Sequence, residues 1–423
     1  MQTNAALDDE IGDFLGGRQS VIRDPYPLYK RIRDAGPVYW YKGNVPFVAR
    51  YRDTTALFSK HEDFQTFRSR ERFGLDRLDE TDRARVADIG TFEEVQLNQT
   101  NGQLHRRIRS VAQRVFPSGK FTEMRPAVRV AVNQLLDEAA RDDVVDLMQF
   151  AYRLPLTVVT AFFGLPSADI DKLKLWGDAI ATVKPFVEGG LPVEAIRAAH
   201  GAVGNTQDYV NGMIAESRRN PGANGFMDAL LAAESGDKLD ANELAGLISL
   251  LIYASHESST NMLGNGIHSL LSHRDQWEAL KSDPSLAPKA VMETLRYNAP
   301  VQMMTRRAAI DTQVDGVDIP QGAEAIILYG AANRDEREYD DPDRLDITRS
   351  KMANVSFGYG IHVCIGAALA RLEGQTAFEL LSQRFPDARL ADEAAEPEWK
   401  PHPLFRGLRR LPVRLGADRG PIE

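Results

Sequence analysis

The chain has a single cysteine, Cys364, among its 423 residues. One thiol cannot form an intrachain disulfide, and it excludes zinc or iron–sulfur sites built from several thiolates. Positive charge is also scarce, because 51 basic residues against 60 acidic ones give a formal net charge of −9. Nucleic-acid-binding proteins favour basic surfaces. We therefore expect no nucleic-acid partner.

Long apolar runs are missing as well. The richest run, residues 244–253, is far shorter than the roughly 20 residues that span a bilayer. The N-terminus is acidic and lacks the positive and apolar regions of a signal peptide. These absences predict a cytoplasmic protein without a membrane anchor of its own.

No repeat, low-complexity tract or linker divides the chain, and we expect a single domain over residues 1–423. The middle of the sequence has helical periodicity, and short β-like stretches lie towards both ends. The predicted fold class is mainly α with small β-sheets. Segments 68–100 and 181–194 fit neither pattern, and such irregular stretches often form lids or binding loops. Helices are expected at residues 127–141, 195–218, 226–233 and 241–272, strands at 38–41, 47–50 and 411–415, and another small sheet from 313–319 and 324–329.

A polar stretch interrupts the longest apolar helix. Residues 247–253 are apolar in nearly every direction, which is typical of a buried helix. Seven polar residues then run from Ser255 to Asn261. Serine and threonine can hydrogen-bond to the preceding turn and bend a helix. The stretch is either a polar patch that meets water or a neighbouring helix, or a distortion beside a cavity where Glu257 and Ser258 relay protons.

Glu293 and Arg296 are three residues apart and share one helix face. Pro300 should end that helix, because proline disfavours a helical residue before it. By itself the pair fits an ordinary surface ion pair, worth under about 1 kcal/mol. The motif alone therefore carries little weight.

The segment around Cys364 is the most informative. Gly358 and Gly360 permit a tight bend, and Gly366 leaves space where a flat ligand could approach. A helical pattern starts at Ile365, so the cysteine lies at a helix N-terminus, where the dipole favours a thiolate. The residues alone leave three roles open: an anionic metal ligand, a nucleophile with His362 as its base, or a redox sensor.

Taken together and in this order, these segments resemble the cytochrome P450 family over nearly the whole chain. Phe357-x-x-Gly360-x-His362-x-Cys364-x-Gly366 is similar to the haem-binding signature of its soluble bacterial members. The resemblance implies the cytochrome P450 fold and haem b as cofactor, with the Cys364 thiolate bound to the iron. His362 then becomes a propionate partner rather than a base.

The resemblance implies roles for the other motifs too. Residues 254–259 resemble the oxygen-activating segment of the family's helix I, which places Ala254 at the haem and makes Glu257 and Ser258 catalytic. In this segment Ser255 replaces the common glycine, and Ser258 replaces the common threonine. Serine keeps the hydroxyl but loses the methyl group that restricts its rotamer. Further haem-binding residues are His105 and Arg109, which resemble the helix C pair, and Arg306; Glu293 and Arg296 resemble the helix K motif, and Arg344 would complete their structural cluster.

The implied activity is monooxygenation. Dioxygen would be activated with two electrons from separate redox partners, and a small to medium hydrophobic substrate would be hydroxylated or oxidatively dealkylated. The partners would be a ferredoxin or flavodoxin with its reductase, with no fused reductase domain. A docking patch of Arg106, Arg107, Arg109 and Arg114 would serve them, although a solvated basic face is the simpler interpretation.

By the same resemblance, several mostly apolar residues would line the substrate pocket. Tyr253 could add a hydrogen bond or could simply pack in the core. Other haem-thiolate chemistry, such as coupling, desaturation or peroxide-driven oxidation, and a haem sensor without turnover are the alternatives. The predicted lining is Leu250, Tyr253, Ala254, Met303, Met304, Leu404 and Phe405.

Overall fold

The computed structural model describes residues 4–66, 79–81, 94–116, 118–181, 193–235 and 239–422. The chain forms two compact units. The first consists of Met1–Gln65, Phe121–Pro155 and Ser258–Glu423, and the second of Thr66–Lys120 and Leu156–Glu257. Helices dominate and the sheets are small, so the predicted fold class is confirmed.

A five-stranded sheet organises the first unit, in the order β1-β2-β8-β5-β3. Strands β2 and β8 are parallel, and the other neighbours are antiparallel. Positive φ angles at Lys42 (49°) and Gly43 (75°) close the predicted hairpin between β1 and β2. Alternate residues of the sheet, such as Val48 and Ile327, enter a buried apolar cluster with Leu57. The strands are β1 Tyr39–Tyr41, β2 Val45–Val48, β3 Phe64–Gln65, β5 Met303–Ala308 and β8 Glu324–Leu328.

The remaining strands form two smaller sheets. Strands β6 (Thr312–Val314) and β7 (Val317–Ile319) make a hairpin with Asp315 and Gly316 at its turn. Strand β8 pairs with β5 and β2 instead, so the prediction that residues 313–319 and 324–329 share a sheet is wrong. Strand β10 (Pro412–Arg414) lies between β4 (Val144–Asp146) and β9 (Arg389–Leu390), and the predicted C-terminal strand is confirmed.

The helices of the first unit pack around a buried core in which Trp277 and Phe378 are fully enclosed. Pro300 follows the helix that carries Glu293, and this helix ends at Tyr297, as its sequence predicts. The helices are α1 Ala5–Leu15, α2 Gln19–Ile22, α3 Tyr26–Ala35, α4 Tyr51–Ser59, α7 Arg125–Ala139, α14 Arg274–Ser282, α15 Ala287–Tyr297, α16 Tyr329–Ala332 and α17 Ala367–Arg384; α6 Ser118–Glu123, α8 Leu147–Phe163 and α13 Glu257–Ser272, of which only Glu257 lies in the second unit, belong partly to each unit.

The second unit is helical wherever it is described in regular structure. Phe116, Phe162 and Phe226 stack with ring centroids 4.4–4.9 Å apart. Most of the predicted lid segments, residues 68–100 and 181–194, lies outside the described residues. None of the described helices in either unit has the length and apolarity needed to cross a membrane. The helices of the second unit are α5 Gly102–Val115, α9 Ile170–Ala181, α10 Val193–Arg219, α11 Gly225–Ser235 and α12 Ala241–Ala254.

The helix expected at residues 241–272 is broken in the middle. Helix α12 begins at a capping box between Asp240 and Glu243 and ends at Ala254, and α13 begins at Glu257. The Ser255 hydroxyl donates a hydrogen bond to the carbonyl of Ile252 (2.8 Å). Such a bond to the preceding turn competes with the helical ladder. The predicted distortion is thus confirmed, and the polar stretch starts at the break.

Candidate active site

The loop that carries Cys364 bends where its glycines are. Gly358 and Gly360 have φ angles of 76° and 71°, a region that L-residues rarely adopt. A side-chain carbon at Gly360 would lie 2.6 Å from the carbonyl oxygen of Phe58. The loop closes with a hydrogen bond of 2.8 Å from the Cys364 amide to the carbonyl of Phe357. Glycine is therefore required at Gly360 both for conformation and for space.

Cys364 precedes helix α17 by three residues and is exposed within this structure. Its neighbour Val363 is also exposed (39%), although it is apolar. A side-chain carbon at Gly366 would lie 3.9 Å from the Cys364 sulfur, so the glycine keeps that side of the thiol uncrowded. His362 and Phe357 are half-buried in the same loop. The loop thus presents a sulfur with apolar surroundings and open space beside it.

A buried guanidinium lies near this loop. Arg306, on β5, is only 4% exposed, and its carbon lies 5.0 Å from the centre of the Phe58 ring. Within the described residues its one hydrogen-bond acceptor is the carbonyl of Thr305 (2.7 Å). Burial lowers the pKa of Arg306. Since a buried cation normally has an anionic partner, Arg306 is suited to an anionic ligand.

Tyr329 lies close to both Arg306 and the cysteine loop, and sequence reasoning did not identify it. Burial raises its pKa to about 12, Arg306 lowers it and the cysteine at position 364 raises it further. The Tyr329 ring also packs against the Phe58 ring, with the two ring centroids 5.7 Å apart. The phenol therefore stays protonated and places Arg306 and Cys364 in one neighbourhood.

These features fit a haem. The sulfur is accessible, Gly366 places no side chain against it, and the buried Arg306 guanidinium has, among the described residues, a single main-chain carbonyl as its acceptor. A porphyrin is flat and apolar, its iron accepts a thiolate, and its propionates are negative. The first unit thus carries donors of the right chemistry for the iron and for a propionate.

The Glu293–Arg296 pair is fully buried, which excludes an ordinary surface ion pair. Two parallel hydrogen bonds of 2.8 and 2.9 Å join the two side chains. The guanidinium also donates to the carbonyls of Asn333 (3.0 Å) and Pro342 (2.7 Å). A buried ion pair needs such additional hydrogen bonds to offset its desolvation.

Arg344 joins this cluster differently from what was expected. It offers its main-chain carbonyl to Arg296 (3.0 Å), whereas its side chain is exposed. The second guanidinium at Glu293 is that of Arg349, at 3.2 Å. Arg344 is therefore part of the cluster through its main chain, and Arg349, which the sequence did not indicate, contributes the second guanidinium group.

Asn333 connects the ion-pair cluster with the cysteine loop. Its side chain donates to the Ser356 hydroxyl (2.7 Å) and accepts from the Val355 amide (2.9 Å). The Ser356 hydroxyl in turn donates to the carbonyl of Leu295 on α15 (2.7 Å). Ser356 immediately precedes Phe357. The cluster thus fixes the position from which the cysteine loop starts.

In the second unit, His105 and Arg109 are one turn apart on helix α5. His105 is 1% exposed and Arg109 is half-buried. Among the neighbouring basic residues, Arg107 forms an ion pair with the buried Glu243 at 2.6 Å. Its charge is therefore largely offset, whereas Arg106 and Arg114 are exposed.

The helix break determines the environment of the predicted proton relay. Glu257 and Ser258 are the first two residues of helix α13. Glu257 is 9% exposed, Ser258 is half-buried, and Ala254, the last residue of α12, is exposed in this structure. An acidic side chain at the start of a helix, close to a break, has the chemistry of a proton donor.

His256, within the break, contacts helix α9. Its Nε2 atom lies 3.6 Å from a carboxylate oxygen of Asp178. Burial raises the pKa of Asp178, but hydrogen bonds from His256 and Lys174 outweigh burial and lower it to about 2. A side-chain carbon at Gly177 would lie 3.2 Å from the His256 ring, so glycine lets the two helices approach closely.

A second buried acid lies in the first unit, and sequence reasoning missed it. Glu373 on α17 is 2% exposed, and Ser259 of α13 hydrogen-bonds to it. Burial raises the pKa of Glu373 to about 8, although the Ser259 hydrogen bond lowers it. The sequence gives little sign of it, because Glu373 is one of two glutamates in a helix that also carries Arg371, Gln375 and Arg384.

The predicted pocket residues differ in accessibility. The Tyr253 hydroxyl donates to Gln96 (2.6 Å), so it is engaged within the protein. Leu250 and Met303 are buried at 5% and 0% exposure, which favours packing roles in this structure. Met304, Leu404 and Phe405 are half-buried.

Comparison with known proteins gives a consistent result. The family model described as cytochrome P450 matches residues 78–397. Cytochrome P450 107B1 of Saccharopolyspora erythraea is 35% identical over 96% of this chain and 99% of its own length. The monooxygenase PikC of Streptomyces venezuelae is 33% identical over 95% of this chain and 93% of its own length.

Solved structures agree. P450BioI, in complex with an acyl carrier protein bearing hexadec-9Z-enoic acid, superimposes with a TM-score of 0.84 at 30% identity. The match covers 94% of this chain and 99% of that one.

Proposed function

The chain belongs to the cytochrome P450 family and is a haem-thiolate monooxygenase, and from this we propose which of its residues hold the cofactor, move protons and admit substrate. As in the family, it uses dioxygen, electrons from redox partners and an organic substrate. We propose that residues 1–423 act as one haem domain supplied by separate electron-transfer proteins in the cytoplasm.

The cofactor we propose is haem b, with Cys364 as the iron ligand. The observation that supports this is the glycine-bent loop with its accessible sulfur. Arg306, a buried cation suited to an anionic ligand, lies near the same Tyr329 side chain as Cys364. Bound there, haem supplies the redox-active iron at which dioxygen is reduced. Arg306 and His362 donate to the propionates from the first unit, and family membership assigns the same role to His105 and Arg109. Phe357 and Gly366 would contact the haem from the cysteine loop, and Ala254 would contact it from the end of helix α12.

Glu257 and Ser258 are the proposed proton donors. The break places both residues in the first turn of α13, where main-chain amides are not committed to the helical ladder. The serine hydroxyl can accept a proton from one neighbour while it donates to another. Glu257 would supply protons from its buried carboxyl group, and Ser258 would pass them on.

The substrate we propose is a small to medium hydrophobic molecule that is hydroxylated or oxidatively dealkylated. Five of the proposed lining residues, Tyr253, Ala254, Met304, Leu404 and Phe405, keep some accessible surface. The relative solved with a fatty acyl group on its carrier protein handles a long apolar chain. An optical titration tests this: compounds that bind should shift the iron from low to high spin.

The electron donor we propose is an acidic ferredoxin or flavodoxin with its reductase. Arg106 and Arg114 are exposed, whereas Arg107 is paired with Glu243. Complementary charge mainly raises the association rate. Reduction should therefore slow as salt increases, and substitution of Arg106 or Arg114 should weaken that dependence more than Arg107→Gln does.

The iron ligand is tested by Cys364→Ala. The purified variant should lose the thiolate-type carbon monoxide spectrum, while Val363→Ala, next to it, should keep it. A thiolate-type spectrum from Cys364→Ala would show that the ligand assignment is wrong. Product analysis with a reconstituted donor separates monooxygenation from peroxide-driven oxidation or ligand sensing.

A further inference from the structure

Three potential metal ligands meet where helix α9 faces the break between α12 and α13. Asp178, His256 and Glu257 each place a ligand atom within 4.8 Å of the other two. His256 is 3% exposed, which fixes its ring in the interior. The Asp178 side chain is 41% exposed, so the cluster is reachable from solvent.

The distances between the ligand atoms are close to those around a small, tetrahedrally coordinated cation. With ligand bonds of 2.0–2.2 Å, two ligand atoms of a tetrahedral zinc lie about 3.3–3.6 Å apart. His256 Nε2 and the nearer Asp178 oxygen are 3.6 Å apart. The Glu257 carboxylate, at most 4.8 Å from either atom, needs a movement of about 1 Å, within reach of its side-chain torsions.

The charges also suit a dication. Lys174 pairs with the Oδ2 atom of Asp178, whereas His256 faces Oδ1, so a cation can use Oδ1 without displacing the lysine. Two carboxylates and one ammonium group leave one net negative charge beside the imidazole ring. The exposed side of Asp178 gives room for a water as fourth ligand.

We propose that Asp178, His256 and Glu257 form a binding site for Zn²⁺ or a similar divalent transition-metal ion. One imidazole and two carboxylates are typical ligands for zinc, whereas Mg²⁺ and Ca²⁺ prefer oxygen ligands alone.

This site has a consequence for turnover that rests on the proposed function. A cation bound to Glu257 removes the carboxyl group that is to supply protons. Zinc should therefore inhibit product formation without displacing the haem.

Calorimetric titration of untagged holoprotein with Zn²⁺ tests the site, with Mg²⁺ titrated in parallel. The wild-type protein should bind one Zn²⁺ and no Mg²⁺. His256→Gln and Asp178→Asn should each weaken Zn²⁺ binding by about tenfold or more. Asp171→Asn on the same helix and His61→Gln elsewhere are matched controls that should bind as wild type does. Lys174→Met should bind Zn²⁺ more tightly, because it removes a positive charge beside the site.

Two results would overturn the site: no saturable Zn²⁺ binding by the wild-type protein, or unchanged binding in both His256→Gln and Asp178→Asn. Turnover is measured separately, with cytochrome c reduction as a check that zinc spares the electron donors. Zinc that binds at the site but leaves product formation intact would refute the role of Glu257 and leave the cation site standing.

Discussion

The buried acid Glu373 should make the free energy of unfolding of this protein decrease as the pH rises. The folded protein holds this carboxyl group protonated, because burial raises its pKa to about 8 from a reference value of 4.5. In the unfolded chain the group ionises near its reference pKa. Between these two values the native state binds a proton that the unfolded state has released. Linkage then makes the free energy of unfolding decrease with pH in this window.

The slope follows from the proton count. One proton bound only in the native state costs about 1.4 kcal/mol of stability for each pH unit. The full contribution is therefore present below about pH 4.5 and lost by about pH 8. Glu373→Gln keeps the size and polarity of the neutral acid but cannot ionise. Its stability should exceed that of the wild type at the alkaline end of the window and should converge with it at the acid end.

Urea denaturation of the two holoproteins at several pH values measures this difference, since other titrating groups cancel between them. Glu379→Gln, on the same helix, is the control, because Glu379 is only half-buried and pairs with Arg129 at 2.8 Å. Ser259→Ala should move the titration of Glu373 to higher pH, because the Ser259 hydrogen bond lowers that pKa. A pH-independent difference between wild type and Glu373→Gln would refute the protonated, buried acid.

Three further outcomes are expected. Ser258→Thr should couple NADH use to product at least as well as wild type and Ser258→Ala less well; equal coupling in Ser258→Ala would rule out the hydroxyl. Arg306→Gln should release haem to apomyoglobin about tenfold faster, since a charge-assisted hydrogen bond is worth about 1.5–3 kcal/mol; an unchanged rate would remove Arg306 from the propionates. Arg349→Ala should lose about 3 kcal/mol in urea denaturation by leaving Glu293 with less countercharge, whereas Arg344→Ala should stay within about 0.5 kcal/mol; equal losses would contradict the geometry.

Local chemistry explains what the sequence could predict. The Ser255 hydroxyl bends its own helix, the glycines at 358 and 360 bend their own loop, and Pro300 stops the helix before it. Each effect acts within a few residues of its cause. The break, the cysteine loop and the end of α15 could therefore be located without coordinates.

Pairings between distant segments were harder to predict. Nothing near Glu324 indicates that its strand joins β5 and β2 rather than the adjacent hairpin, because strand partners depend on tertiary packing. The contact of Asp178 with His256 joins residues 78 positions apart in the sequence, and the motif around His256 does not indicate Asp178 as its partner. Arg344 and Arg349 are both arginines, and only the coordinates show which one offers its side chain.

The main-chain carbonyls that accept hydrogen bonds from Arg296 determine which positions around it can be substituted. Asn333, Pro342 and Arg344 all accept from the guanidinium through main-chain oxygens, which any amino acid would provide. Positions 342 and 344 can therefore vary while the geometry persists, provided that the backbone keeps its course. Glu293, Arg296 and Arg349 have no such freedom, since their side chains are the contacts. A mutational library aimed at new substrates can randomise positions 342 and 344 and should leave Glu293, Arg296 and Arg349 intact, together with Asn333, whose side chain holds the cysteine loop.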